Sequence, residues 1–247
     1  KLETLVETMR AAVIDALRYE SDLRDVLAEP DTVANAVAQI RLRVAGAPRG
    51  TWGGATAEYA DGQLTSDDGP LEAVLKASRA LFLDRVERLA VGQAGHCEGG
   101  PVYDALRANA YIYPAKSCSF VLLGVLSRPF FDERYDEVSL STRIGYVIAH
   151  ELGHATYLSA WSYAGAGDLL SEYATNRWGE ALADVVAAVA IVRAGLATAA
   201  EVCGHVSQVW CARVPIGATY SSSNAHPAPN ERGDKLCATL QGLGYTV

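Results

Sequence analysis

Leu2, Leu5, Val6, Met9, Val13 and Leu17 recur at three- and four-residue spacing, which predicts an amphipathic helix that ends before Glu29-Pro30. Asp31 or Thr32 can cap a second helix with Val33, Val37, Ile40 and Val44 on one face, closed by Gly46 and Pro48. Residues 46–70 are rich in Gly, Ala, Thr and Asp and read as a linker or surface loop. Pro70 suits the first turn of a long helix carrying Leu71, Val74, Leu75, Leu81, Phe82, Val86 and Leu89, which the stretch from Gly92 to Pro101 breaks.

Two short apolar runs with aromatic and β-branched character follow, Tyr111–Tyr113 and Phe120–Leu126, bounded by Pro114 and by Ser127-Arg128-Pro129; they are the two convincing strands. Ser141 or Thr142 can cap a helix through Ile144, Val147, Ile148 and Leu152. A helix over Trp178–Ala194 is apolar from Ala181 to Val192 except at Asp184, so it should be buried on most sides. A helix over Ala199–Cys211 precedes a polar C-terminal stretch expected to be irregular. No internal repeat is present. The fold class expected is α+β, mainly helical, with one small sheet.

The 247 residues suffice for one substantial domain, and with half of them apolar and mean hydropathy +0.07 a disordered chain is excluded. The longest apolar run, Phe120–Leu126, is too short to span a bilayer. With 21 basic and 29 acidic residues the net charge is −8, which disfavours nucleic acid and anionic membranes and favours a cation. The five cysteines, Cys97, Cys118, Cys203, Cys211 and Cys237, include no Cys-x-x-Cys pair; one or two disulfides with a leftover thiol, or five buried thiols, fit equally. No Asn begins an N-glycosylation sequon. The chain starts at Lys1, read as the start of a processed or excised piece.

The chemistry centres on His150-Glu151-Leu152-Gly153-His154. Two imidazoles four residues apart on a helix share a face and can share one metal ion, for which zinc is the natural choice. Catalytic zinc takes three protein ligands and keeps a position for water, so a third ligand should lie downstream. Glu180, 26 residues beyond His154, is the best candidate, and Asp184 follows on the same helix face. Two acids at the mouth of an apolar helix are costly unless something positive lies between them, which a zinc–imidazole cluster supplies. Glu180 is therefore read as a ligand, and Asp184 as the acceptor of a ligating histidine's N–H.

These residues resemble the neprilysin and endothelin-converting enzyme family of zinc metallopeptidases. The resemblance rests on ordered segments: Asn109-Ala110-Tyr111, Phe120-Val121, Arg128-Pro129-Phe130-Phe131-Asp132, Ile144 to Glu151, Gln208-Val209-Trp210-Cys211 and His226-Pro227-Ala228-Pro229-Asn230-Glu231-Arg232. It implies a gluzincin-like catalytic lobe in which a helical subdomain supplies the third ligand. Glu151 would then be the general base, Asn109 and the Ala110 backbone would hold the substrate main chain, His226 would stabilise the oxyanion, and Arg232 would bind a substrate carbonyl. Phe130, Phe131, Val209 and Trp210 are candidates for an apolar primed-side pocket, with core packing an equal alternative.

The implied activity is peptide-bond hydrolysis in oligopeptides with one zinc ion. Against the family pattern, the interval from His154 to Glu180 is short and the large helical lobe is mostly absent, so a missing N-terminal lobe or a partner chain is expected. The same departures support an alternative: a zinc-bearing but catalytically idle module that binds peptides or a partner. The whole chain, 1–247, is expected to form one catalytic domain: a helical part over 1–91, a sheet and active-site helix over 92–154, and a helical part over 155–247. The resemblance favours an extracellular or secretory-pathway location.

Overall fold

The computed structural model describes residues 2–44, 109–113, 118–159, 169–170, 178–211 and 229–247. The helix expected over residues 71–89 and the loop over 46–70 lie outside the described residues. Internal contacts divide the chain into two compact units, one of Lys1–Gln39 with Arg128–Val247 and one of Ile40–Ser127. The small sheet falls in the second of these and the helix bearing the two histidines in the first.

In the second unit, β1 (Arg41–Val44), β2 (Ala110–Tyr113) and β3 (Cys118–Val121) form a sheet in the order β1-β3-β2. β3 pairs parallel with β1, Arg41 opposite Cys118, and antiparallel with β2, Ala110 opposite Val121. β1 corrects the sequence expectation of a helix running to Gly46. Ile40, Leu42 and Val44 alternate with Arg41 and Arg43, a two-residue period that suits a strand, and Leu42 is buried while Arg41 is exposed. The strand expected to reach Leu126 stops at Val121, and Leu123–Val125 makes a 3₁₀ turn around Gly124.

The first unit is helical. α1 (Leu2–Tyr19) buries Val6, Met9, Ala12, Val13, Ala16 and Leu17 on one stripe, and α2 (Ser21–Val26) follows after a break at Glu20. The break has a physical reason: extended backbone at Glu20 lets its buried carboxylate accept from Arg193 Nη1 and from the Tyr245 hydroxyl, each at 3.0 Å. α3 (Pro30–Gln39) packs on α1. The helix expected to start at Ser141 begins earlier: α4 (Glu137–Leu140) is capped by the Asp136 side chain, which accepts from Ser139 N at 2.7 Å. It continues through a π-helical turn, Ser141–Gly145, into α5 (Tyr146–Gly153) and a 3₁₀ turn, His154–Leu158.

α6 (Trp178–Arg193) is buried without a break from Ala181 to Ile191 and packs against α1 and α5. Each fully buried Leu, Val or Ile side chain on it contributes about 1.5–3 kcal/mol relative to exposure. Gly153 lets α5 come this close, because a Cβ there would stand 3.1 Å from Ala183 Cα and 3.2 Å from its carbonyl oxygen.

α7 (Ala199–Cys211) runs as expected. α8 (Pro229–Gly242) corrects the expectation of an irregular C-terminus. Its polar sequence hides a narrow buried stripe of Arg232, Leu236, Thr239 and Leu240, and Pro229 stands in its first turn. Tertiary packing makes this helix: a Cys203–Cys237 disulfide joins it to α7, and Gly233 lies so near Ser207 that a Cβ would overlap the Ser207 hydroxyl oxygen at 2.0 Å. Cys118 is disulfide-bonded as well. Among the described residues no helix is long and apolar enough to cross a membrane.

Candidate active site

Every residue of α5 is buried, including His150 and Glu151, and His154 follows with its backbone still helical. The helical repeat sets both imidazoles on one face, with ring centroids 4.6 Å apart in an edge-to-face arrangement. α6 brings Glu180 to meet them: Glu180 Oε2 lies 3.3 Å from His150 Nε2 and 3.3 Å from His154 Nε2. The carboxylate of Glu151 is near as well, with one oxygen within 4.8 Å of a donor nitrogen on each histidine.

Asp184, one turn beyond Glu180, is fully buried. Its Oδ1 lies 2.8 Å from His150 Nδ1 and accepts the Tyr146 hydroxyl at 2.8 Å. Arg232 from α8 grips the same carboxylate with two nitrogens, Nε donating to Oδ2 at 2.7 Å and Nη2 to Oδ1. Arg232 Nη2 also lies 3.5 Å from His150 Nδ1. A buried carboxylate inside an apolar helix is thus compensated by a cation, a hydroxyl and an imidazole.

These neighbours set the protonation states. Burial pushes the Glu180 carboxyl up, but the two imidazoles outweigh it and hold the group well below the usual carboxylate range. Asp184 is likewise pushed up by burial and held far below that range, first by Arg232 and then by His150. Burial opposes a charge on His150, yet Asp184 and Glu180 raise it to about 9. Glu151 has its pKa raised by burial, a direction that suits a proton acceptor working near neutral pH.

The donor set fits zinc. In a tetrahedral site with bonds of about 2.0–2.1 Å, adjacent donor atoms lie about 3.3–3.4 Å apart. That is the spacing from the Glu180 oxygen to each imidazole nitrogen. Two imidazoles and one carboxylate are also a ligand set that catalytic zinc sites use, with a position left open.

The remaining residues singled out from sequence are more scattered. His226 lies outside the described residues, as does the side chain of Trp210. Phe130 and Val209 are buried, while Phe131 is half-buried. The turn that carries Phe130 is tied down by Arg143, whose Nη1 donates to the Pro129 carbonyl at 3.2 Å. Asn109 and Ala110 stand in the second unit, where the Asn109 carbonyl accepts from Leu122 N at 3.1 Å. Arg232, expected at a substrate carbonyl, is bonded to Asp184 and nearly fully buried.

Two residues to which the sequence reading gave no role join the site. Tyr146 reaches Asp184, and Tyr157 stacks on His154 with centroids 5.2 Å apart. Spacing is the signal that could have found them, since Tyr146 stands one turn before His150 and Tyr157 one turn after His154.

The sequence pattern of Peptidase family M13 matches residues 109–187, a span that holds His150, Glu151, His154, Glu180 and Asp184. No curated protein matches the chain. Among solved structures, the zinc metalloprotease Zmp1 of Mycobacterium tuberculosis, in complex with an inhibitor, is similar with a TM-score of 0.62 at 17% identity. The match covers 99% of this chain and 44% of that one, so the chain spans less than half the length of its structural relative. At that identity the likeness is one of fold. These two matches support the resemblance to the neprilysin-like metallopeptidases: residues 109–187 match Peptidase family M13, and the fold is similar to that of a zinc metalloprotease.

Proposed function

We propose that this chain is a zinc-dependent peptidase that hydrolyses peptide bonds of oligopeptides, with one ion held by His150, His154 and Glu180. The observation that carries the reading is the single Glu180 oxygen at 3.3 Å from both imidazole nitrogens, with an ionisable buried carboxylate, Glu151, beside them. When bound, the ion supplies a Lewis acid that acidifies a water and polarises the scissile carbonyl.

Glu151 takes the proton from the attacking water and passes it to the leaving amine. Its burial favours the first of these transfers, because a raised pKa makes the carboxylate a stronger base. Asp184 fixes the tautomer of His150 by accepting from Nδ1, which leaves Nε2 directed at the site. Arg232 and Tyr146 hold Asp184 in place. In this reading Asn109 and the Ala110 backbone position the substrate strand, and His226 and Arg232 assist at substrate carbonyls. The apolar primed-side preference proposed from Phe130, Phe131, Val209 and Trp210 rests on the family resemblance. An extracellular or secretory-pathway setting is proposed on the same ground.

Zinc content together with cleavage of a quenched peptide bearing an apolar residue after the scissile bond tests the proposal. A zinc-loaded chain that cleaves, and whose Glu151→Gln variant keeps zinc but loses turnover by at least about a hundredfold, supports it. A zinc-loaded chain that binds the peptide without cleaving it points to the idle binding module instead.

A further inference from the structure

The two histidines are held by different means. His150 Nδ1 meets Asp184 at 2.8 Å, whereas His154 Nδ1 is buried and has no hydrogen-bond partner among the described residues. A ligating imidazole ordinarily gives its second N–H to an acceptor that fixes the ring. His154 has an aromatic face instead: the Tyr157 ring lies 5.2 Å from it, centroid to centroid, with the planes only 7° apart. Both residues belong to the 3₁₀ turn His154–Leu158, in which side chains three apart eclipse one another.

The tyrosine has a seat of its own. A Cβ on Gly179 would stand 2.1 Å from the Tyr157 hydroxyl oxygen and 2.3 and 2.5 Å from its ring carbons Cε1 and Cζ. A side chain at position 179 would push the ring from this place, and the next residue is the ligand candidate Glu180. The ring thus touches the imidazole of one ligand and the backbone beside another.

We propose that Tyr157 is a positioning residue of the metal centre: its ring, seated against Gly179, orients His154 in place of a hydrogen-bonded acceptor. The inference rests on the reading that His150, His154 and Glu180 hold zinc. Stacking is the contact that orients the imidazole, so the aromatic ring is what the position requires.

The test measures binding of zinc alone to the full chain by competition with a chromophoric chelator, and the visible absorption of the cobalt-substituted protein, for wild type, Tyr157→Phe, Tyr157→Leu and Gly179→Ala. Wild type and Tyr157→Phe should bind alike. Tyr157→Leu and Gly179→Ala should bind about three- to tenfold more weakly, with shifted cobalt spectra. Wild-type affinity and spectrum in Tyr157→Leu would overturn the inference, as would a Tyr157→Phe variant as weak as Tyr157→Leu. Should Tyr157→Leu not fold, Gly179→Ala decides: an unchanged affinity there overturns the inference. A wild-type chain that binds no zinc defeats the metal-site reading itself, a separate outcome.

Discussion

Asp184 Oδ1 and His150 Nδ1 lie 2.8 Å apart in a fully buried setting, and the same carboxylate is gripped by Arg232. One side chain therefore couples the zinc-motif helix to the C-terminal helix. Asp184→Asn removes the charge on which both His150 and Arg232 depend. Zinc affinity should fall about 10–100-fold, and stability by about 3–5 kcal/mol because the buried charge of Arg232 loses its carboxylate. Chelator competition and urea unfolding measure the two losses.

Gly153 makes its closest approach to backbone rather than to a pliable side chain. Gly153→Ala should cost about 1–3 kcal/mol of stability, as overpacking does. It should also weaken zinc binding, because α6 carries Glu180 and cannot stay at 3.3 Å from both imidazoles if the helices part. A thermal melt of the metal-free protein and a zinc titration separate these effects.

α8 owes its place to α7 more than to its own sequence, and Cys203–Cys237 closes a separation of 34 residues. Cys203→Ser with Cys237→Ser should lower stability by about 2–4 kcal/mol. Because α8 carries Arg232, zinc affinity should drop in the same variants. Unfolding curves of the wild type and the double variant check the first effect.

His205 on α7 contacts the Thr142 hydroxyl, and burial, aided by Arg143, lowers its pKa from the ordinary 6.5. The unfolded chain therefore takes up this proton before the folded one does, so folded stability falls as pH drops below 6.5. Asp136 and Glu201, both lowered by hydrogen bonds at helix starts, add losses of the same sign at more acid pH. His205→Gln should flatten the dependence between pH 5 and 7, as unfolding at a series of pH values will reveal.

The shared face of His150 and His154 was legible in the sequence because helical spacing alone forces it, and Asp184 stands out as the charge in an apolar helix. Elements shaped by distant partners were not. β1 exists because β3 offers it a parallel neighbour, and four residues of alternation are too few to outvote the preceding helical stripe. α8 has a stripe of few apolar residues, and its disulfide to α7 joins cysteines whose pairing no spacing rule predicts. The role of Arg232 was half legible: its place in the family pattern marked it as functional, but only packing shows that it holds Asp184.

The account stands on one convergence of donors from two helices. Zinc content per chain, measured by elemental analysis after dialysis for wild type and Glu180→Ala, tests it most directly. The prediction is one zinc per wild-type chain and almost none in the variant, since loss of a charged ligand leaves two imidazoles unable to retain the ion. A wild-type chain without zinc, or a Glu180→Ala chain that retains a full equivalent, would contradict it.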